Sequence, residues 1–136
     1  MKLAVVGSQV ITRRQAETAW FVIEGLIAVF NPGVVISGGA TGVDSVAEAV
    51  AKSLGYTPWE HDEVRPDGNV LLIFREEVKQ WDPVGRYGYK ARNVDIVRNS
   101  DVLVRIAKKD KQSTYGSGWT ADHAEELGKD VHRIWI

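Results

Sequence analysis

A glycine-rich turn between two apolar segments is the strongest constraint on how this chain can fold. The sequence SGGATGVD, residues 37–44, follows the apolar run Val34–Ile36 and leads into an amphipathic segment, residues 43–54. This order predicts a strand, a tight turn and a helix. Three glycines in five residues let the backbone adopt positive φ and let a ligand approach without a Cβ in the way. Free N–H groups and the positive end of the helix dipole suit an anion there, typically a phosphate.

The turn differs from two better-known phosphate-binding patterns. No Lys-Ser/Thr pair follows it, as in a P-loop, and its GGxxG spacing is not the GxGxxG of dinucleotide-binding turns. From this segment alone, a strand-to-helix turn without any ligand therefore remains the alternative interpretation.

Composition limits the classes of protein to consider. A length of 136 residues fits a single domain, 1–136, and a formal net charge of −1 gives no general attraction to nucleic acid or to an anionic membrane. The chain has no cysteine, which excludes disulfides, thiolate metal sites and a cysteine nucleophile. Its apolar runs are too short for a signal peptide or for a membrane span of about 20 residues. We therefore expect a cytoplasmic protein with no membrane partner.

Apolar runs alternate with segments of helical spacing through the rest of the chain. Thr12 and Gln15 form a T-x-x-Q capping box at the start of the first helix, and Asn31-Pro32-Gly33 ends it. Trp20 lies on the apolar face of this helix, which favours a place in the core over a ligand platform. We predict strands at 3–6, 34–36, 56–59, 101–106 and 131–136, and helices at 12–30, 43–54, 85–99 and in a short segment ending at 127.

Residues 62–80 do not fit this alternation. The turn signal Pro66–Asn69 precedes an apolar run, Val70–Phe74, and we interpret the whole stretch as an insertion that forms a hairpin or an extra strand. The apolar run needs cover either from the body of the domain or from a second subunit.

The alternation predicts an α/β fold, a doubly wound, mainly parallel five-stranded sheet with helices on both faces and the last strand at an edge. Ligands bind such sheets at the carboxyl ends of the strands. The turns after the first, second and fourth strands, Gly7-Ser8, residues 37–44 and residues 113–120, should converge there. Three small-residue or hydroxyl-rich loops at one edge favour a phosphate-bearing ligand.

Several charged residues near this edge allow two interpretations. Asp44 stabilises a helix N-terminus or accepts a hydrogen bond from a sugar hydroxyl, and both remain open. The cations of the third helix form a solvated face, or they place Arg92 and Asn93 at the rim of the crevice. His61, His123 and His132 are too widely spaced for a metal site, so we predict no metal and no cofactor.

Three motifs resemble one known superfamily. They are LAVVGSQ at 3–9, ISGGATGVD with Ala47 at 36–47, and the spacing W-x3-G-x6-RN from Trp81 through Gly85 to Arg92-Asn93. The chain resembles the SLOG superfamily (SMF/DNA-processing protein A and LOG), in particular its YspA-like, cpYpsA-related branch. The resemblance covers nearly the whole chain except about 62–80. The chain departs from the pattern at Gln9, Tyr89, Arg105 and the split pair Gly118-Trp119-Thr120.

The resemblance implies a Rossmann-like fold and a site for a nucleotide or nucleotide-derived ligand. It implies that the three turn glycines cradle phosphate, that Arg92 pairs with phosphate, and that Ser8 and Thr120 add hydroxyl contacts. The expected nucleotide-binding residues are Gly7, Ser8, Gln9, Ser37, Gly38, Gly39, Ala40, Gly42, Val43, Asp44, Arg92, Asn93, Ser113, Gly116, Ser117, Gly118 and Thr120.

The resemblance leaves the function open among three classes. Nucleotide binding, as a sensor module in a homo-oligomer, is the first. The second is N-glycosidic hydrolysis of a nucleoside monophosphate, as in the LOG enzymes. The catalytic candidates for this reaction are Arg92, Asp44 and Asp122. The glutamate motif of the LOG enzymes, P-G-G-x-G-T-x-x-E, has no clear counterpart in this chain. The third is single-stranded DNA binding through the cations at 86–98 and 108–111 with Tyr87 and Tyr89.

Overall fold

The computed structural model describes residues 1–74, 87–109 and 116–136, and it describes only the backbone of residues 87–91. Strands and helices alternate along most of the chain. The strands are β1 (Lys2–Gly7), β2 (Val34–Ser37), β3 (Thr57–Glu60), β4 (Val70–Ile73), β5 (Val102–Ala107) and β6 (Asp130–Trp135). The helices are α1 (Arg13–Phe30), α2 (Val43–Ser53), α3 (Tyr87–Asn99) and α4 (Ser117–Glu126).

The six strands form one parallel sheet in the order β3-β4-β2-β1-β5-β6. The predicted α/β, Rossmann-like architecture is confirmed, including the position of the last strand at an edge. The predicted number of five strands is one too few. The additional strand is β4, which lies between β3 and β2.

β4 contains the apolar run whose position in the fold could not be predicted from the sequence. All four of its residues are buried, and its neighbours are β2 on one side and β3 on the other. A strand inside a parallel sheet is covered on both faces, so it requires continuous apolar residues rather than alternation. The body of the domain provides this cover. Residues 75–80 of the predicted insertion lie outside the described part of the chain.

Local signals in the sequence define the boundaries of α1. The Thr12 hydroxyl accepts a hydrogen bond from the Gln15 N–H at 3.1 Å, and the Gln15 side chain accepts one from the Thr12 N–H at 2.9 Å. This is the predicted capping box. Asn31 adopts the left-handed conformation with φ of 46° and ends the helix. Trp20 packs against the core, as predicted.

The helices cover the sheet on both faces, and each face has its own core. One core is formed under α1 and α2 by residues such as Leu3, Val5 and Val35. The other is formed under α3 and α4 by Ile36, Leu72 and neighbouring residues. This arrangement brings the carboxyl ends of all six parallel strands to one edge. In the described part of the chain, no helix is long and apolar enough to cross a membrane.

Candidate functional site

The glycine turn between β2 and α2 requires glycine at specific positions. Gly39 and Gly42 have φ angles of 71° and 74°, a region that other residues rarely adopt. A Cβ on Gly42 would also overlap the carbonyl oxygens of Ser8 and Gln9. The turn is therefore pressed directly against the segment that follows β1.

Hydrogen bonds join the ends of three strands at this place. The Val43 N–H donates to the Ser8 carbonyl at 3.0 Å, and the Thr41 hydroxyl donates to the Gln9 carbonyl at 3.2 Å. On its other side, Ser8 donates its N–H to the Ile106 carbonyl at 3.1 Å. The Ser8 hydroxyl accepts from the Lys108 N–H at 3.1 Å. The turns after β1, β2 and β5 thus form one continuous edge.

Gly7, at the end of β1, has no room for a side chain. A Cβ there would overlap the Ile106 carbonyl oxygen and would lie 2.7 Å from the Val43 Cβ. Gly7 therefore lets β5 and the start of α2 approach β1 closely. This contact is a packing requirement of the edge itself.

Asp44, in the first turn of α2, has its carboxyl group folded back into the glycine turn. Its side chain is buried, with 6% of its surface exposed, and its Oδ2 atom accepts from the Ala40 N–H at 3.2 Å. A Cβ placed on Gly38 would lie 3.0 Å from the same oxygen. The carboxyl group is therefore part of the hydrogen bonding of the turn, a role that neither interpretation of the sequence predicted.

Burial raises the pKa of the Asp44 carboxyl to about 6. The nearby Glu48 carboxylate also raises this pKa, while the hydrogen bond from Ala40 and the positive charge of Arg92 lower it. Desolvation is the largest effect because the charged form loses its hydration in the turn. Asp44 can therefore change its charge close to neutral pH.

Arg92, on α3, reaches the glycine turn from the opposite side. Its Nη1 donates to the Gly38 carbonyl at 3.3 Å. Its Nε and Nη2 each lie 3.4 Å from the Oδ1 of Asn93, which is buried. The amide of Asn93 thus orients a guanidinium group at the turn, and the structure brings these two residues and the glycine turn together. Trp81 and Gly85, which belong to the same motif, lie outside the described residues.

In the second glycine-rich junction, before α4, the hydroxyl groups form hydrogen bonds with other residues of the chain. Gly116 has a φ of 57°, and the buried Thr120 hydroxyl donates to the Gly116 carbonyl at 2.9 Å. The Ser117 hydroxyl accepts from the Nε of Arg105 at 3.1 Å. Gly118 is buried. Ser113 lies outside the described part of the chain.

Asp122, the third catalytic candidate, forms an ion pair away from the glycine turn. Its carboxylate accepts from the Arg133 guanidinium of β6 at 2.9 Å, and Glu125 accepts from the same guanidinium at 3.1 Å. These hydrogen bonds raise the pKa of Arg133 although burial opposes them. Asp122 therefore connects α4 to the edge strand, whereas Asp44 and Arg92 share the glycine turn.

An aromatic group at the same edge was not predicted from the sequence. The rings of Trp59 and His61 are nearly parallel with centroids 6.5 Å apart, and the ring of Phe74 lies 4.5 Å from that of His61. The signal was present in the spacing of Trp59 and His61 at the end of a strand. The aromatic group can be recognised only when the pairing of β3 with β4 is known, because this pairing brings Phe74 next to His61. Among the described residues, no group of three histidines, cysteines or carboxylates could hold a metal ion.

No protein-family model matches the sequence, and no curated protein matches it. Solved structures match its fold. DNA processing protein A from Helicobacter pylori, described for its single-stranded DNA binding mode, is 24% identical with a TM-score of 0.64. That match covers 98% of this chain and 64% of the other, so this chain spans about two thirds of that protein's length.

Two further matches are proteins connected with the molybdenum cofactor. The Moco carrier protein from Chlamydomonas reinhardtii is 17% identical with a TM-score of 0.59, covering 98% of this chain and 75% of the other. The molybdenum cofactor binding protein from Rippkaea orientalis is 22% identical with a TM-score of 0.61, covering 97% and 74%. The chain has the fold of these proteins.

Proposed function

We propose that the protein binds a nucleotide or nucleotide-derived ligand through its phosphate at the carboxyl edge of the sheet, as a sensor module. The observation that carries this proposal is the position of the Arg92 guanidinium beside the glycine turn, 3.3 Å from the Gly38 carbonyl. A planar guanidinium matches the geometry of a phosphate. The N-terminus of α2, which follows the turn, adds the positive end of a helix dipole.

The charge of Asp44 determines how well an anion is accepted. With its carboxylate charged, Asp44 offsets the positive charge of Arg92 and repels a phosphate at the turn. Because the pKa of Asp44 is about 6, protonation removes this repulsion at a modest cost near neutral pH. The site is thus able to adapt its charge to an anionic ligand.

A ligand panel with a matched pair of arginine variants tests the proposal. Thermal shift is measured with mononucleotides, cyclic nucleotides and dinucleotides, and then the affinity of any ligand found is measured by calorimetry. We expect Arg92→Ala to weaken binding at least about tenfold, since a charge-assisted hydrogen bond contributes about 1.5–3 kcal/mol. Arg98→Ala is the control because it removes the same charge from an exposed position of the same helix. Equal losses in both variants, or no ligand in the panel, would contradict the proposal.

A second candidate function is hydrolysis of the N-glycosidic bond of a nucleoside monophosphate, as in LOG enzymes. The observation that favours it is a buried carboxyl group with a pKa of about 6 beside a guanidinium group. Such a carboxyl can stabilise an oxocarbenium-like state or activate a water molecule. Release of free base, abolished in Asp44→Asn while nucleotide binding persists, would establish this activity. If no monophosphate releases its base, binding alone remains.

Single-stranded DNA is the competing ligand, suggested by the fold shared with DNA processing protein A. Binding of DNA with a steep salt dependence, in the absence of any response to nucleotides, would favour this alternative. Nucleotide binding that changes little with salt would favour the first proposal. Two of the cations expected to contact DNA, Arg86 and Lys111, lie outside the described residues.

We also propose that the chain self-associates through the outer face of α1. Phe21 and Val29 are 72% and 81% exposed there, one turn on either side of Gly25, whose surroundings are open. A two-fold axis at Gly25 would place Phe21 against Val29 of the partner subunit, an isologous contact. Sedimentation over a range of concentrations should show a weak dimer that Phe21→Glu disrupts. Val64→Glu, at an exposed loop position, is the control, and an equally monomeric wild type would contradict the proposal.

A further inference from the structure

Three aromatic side chains form a group at the carboxyl ends of β3 and β4. Trp59 is the third residue of β3, His61 follows the strand, and Phe74 follows β4. The Trp59 and His61 rings are inclined by only 14°, and the Phe74 ring is tilted by 50° against His61. We call Trp59, His61 and Phe74 the aromatic group.

The aromatic group adjoins the glycine turn. The Phe74 N–H donates to the Ser37 carbonyl at 2.9 Å, so Phe74 is one strand spacing from the start of the turn. β3 is two strands away from β2, which places His61 on the order of 10 Å from the turn along the edge. β4 and β3 therefore extend this edge of the sheet away from the glycine turn, where we propose that the phosphate binds.

The aromatic group and Arg92 also lie on the same face of the sheet. Phe74 belongs to the core under α3, and Trp59 packs against that core. Ile96, one helical turn after Arg92 on α3, belongs to the same core. A ligand that contacts Arg92 at the turn can therefore extend along this face to the aromatic group without crossing the sheet.

Trp59 and Phe74 are held in place by the surrounding protein, and His61 is the exposed member of the aromatic group. The Trp59 indole N–H donates to the Glu63 carbonyl at 2.7 Å, which fixes the plane of its ring. Phe74 is buried and Trp59 is half-buried, whereas His61 is exposed. The imidazole ring is therefore the surface that a ligand can reach, supported by two larger rings.

We propose that His61, supported by Trp59 and Phe74, stacks against the base of the nucleotide whose phosphate lies at the glycine turn. This inference rests on the proposed nucleotide binding and adds the location of the base. A ribose joins the phosphate to the base, which suits two subsites on one face and edge of the sheet. Every base offers a π-face, so stacking of this kind tolerates different bases. The ligand class is therefore one that carries both a phosphate and an aromatic ring.

Two probes separate the base subsite from the phosphate subsite. Adenosine 5′-monophosphate contains the base, and ribose 5-phosphate lacks it. Calorimetry with the intact chain should show that His61→Ala weakens adenosine 5′-monophosphate roughly tenfold, the effect of losing one stacked ring. The same substitution should leave ribose 5-phosphate unchanged. His61→Phe should retain the affinity because it keeps an aromatic ring, and His132→Ala is the control at the exposed His of the opposite edge strand.

A structural readout accompanies the affinities. The ring-proton NMR signals of His61, assigned by comparison with His61→Phe, should shift upfield with adenosine 5′-monophosphate and not with ribose 5-phosphate. If both probes bind equally and His61→Ala is neutral, the base lies elsewhere and only this inference fails. If neither probe binds and no other nucleotide of the panel binds, nucleotide binding fails as well. Loss of ribose 5-phosphate affinity in His61→Ala would also overturn the inference, because it would assign His61 to the phosphate.

Discussion

The substitution Asp44→Asn should stabilise the protein near neutral pH although it removes a buried hydrogen-bonding group. Asn has the shape of the neutral acid, and its side-chain oxygen can still accept from the Ala40 N–H. It lacks the negative charge that is desolvated in the turn. A change of the pKa from 3.8 to about 6 corresponds to about 3 kcal/mol, which is the upper limit for the gain.

The sign of the pH dependence follows from the same values. Because the folded-state pKa is raised, the stability from neutral Asp44 is fully present below about pH 3.8 and is lost as the pH rises through about 6. Above that pH, the folded chain carries the full cost of the buried charge. The stability difference between Asp44→Asn and wild type should therefore be small near pH 4 and largest at pH 7 or above.

Urea unfolding of both proteins at a series of pH values measures this difference. Asp95→Asn is the matched control because Asp95 is exposed on α3, and it should change stability by less than about 0.5 kcal/mol at every pH. A destabilised Asp44→Asn at pH 7, or a difference from wild type that does not vary with pH, would refute the account of Asp44 as a desolvated carboxyl group.

Two further substitutions test the packing around the site. Gly42→Ala combines a φ of 74° with an overlap of its Cβ with the Ser8 carbonyl, so we expect at least about 2 kcal/mol of destabilisation, measured by urea unfolding. The control is Gly33→Ala, whose Cβ enters open space and which should be neutral or stabilising. Tyr56→Phe removes the hydroxyl that donates to the Pro32 carbonyl and should lower the unfolding free energy by about 1–2 kcal/mol, whereas an unchanged midpoint would show that water replaces the hydroxyl.

The order of the strands could be predicted only in part. The local signals for β1, β2, α1 and α2 were sufficient because capping residues and glycines act over a few positions, as Thr12 and Gly42 show. The placement of Val70–Ile73 was not predicted, because an apolar run indicates burial without identifying its neighbours. The nine residues 61–69 that join β3 to β4 are shorter than a usual parallel crossover and contain no helix.

The candidate site shows the same division between local and long-range information. The sequence left the position of Arg92 open between a solvated helix face and the rim of the crevice, and the structure places its guanidinium beside the glycine turn. The inward orientation of Asp44 was not predicted, because it depends on a contact with Ala40 and on the burial of the carboxyl group. The hydroxyl of Thr120 likewise forms its hydrogen bond with Gly116, the residue before α4, a choice that sequence spacing leaves undetermined. Side-chain direction in the turn was therefore the main unknown.

Ligand binding at the glycine turn should take up a proton at Asp44. A phosphate near Arg92 adds a negative charge close to the carboxyl group, which raises the pKa of Asp44 further above about 6. Affinity should therefore increase as the pH falls from about 8 toward 6. A cyclic nucleotide is the best probe because its phosphodiester has no second ionisation near pH 6.

Calorimetry at pH 7 in two buffers with different ionisation enthalpies measures the number of protons taken up. Wild type should take up a fraction of a proton for each cyclic nucleotide bound, and Asp44→Asn should take up none while binding more tightly at pH 8. Equal proton uptake in the two proteins would place the titrating group elsewhere. Weaker binding by Asp44→Asn would instead mean that the carboxylate contacts the ligand directly, since removal of mere repulsion cannot reduce affinity.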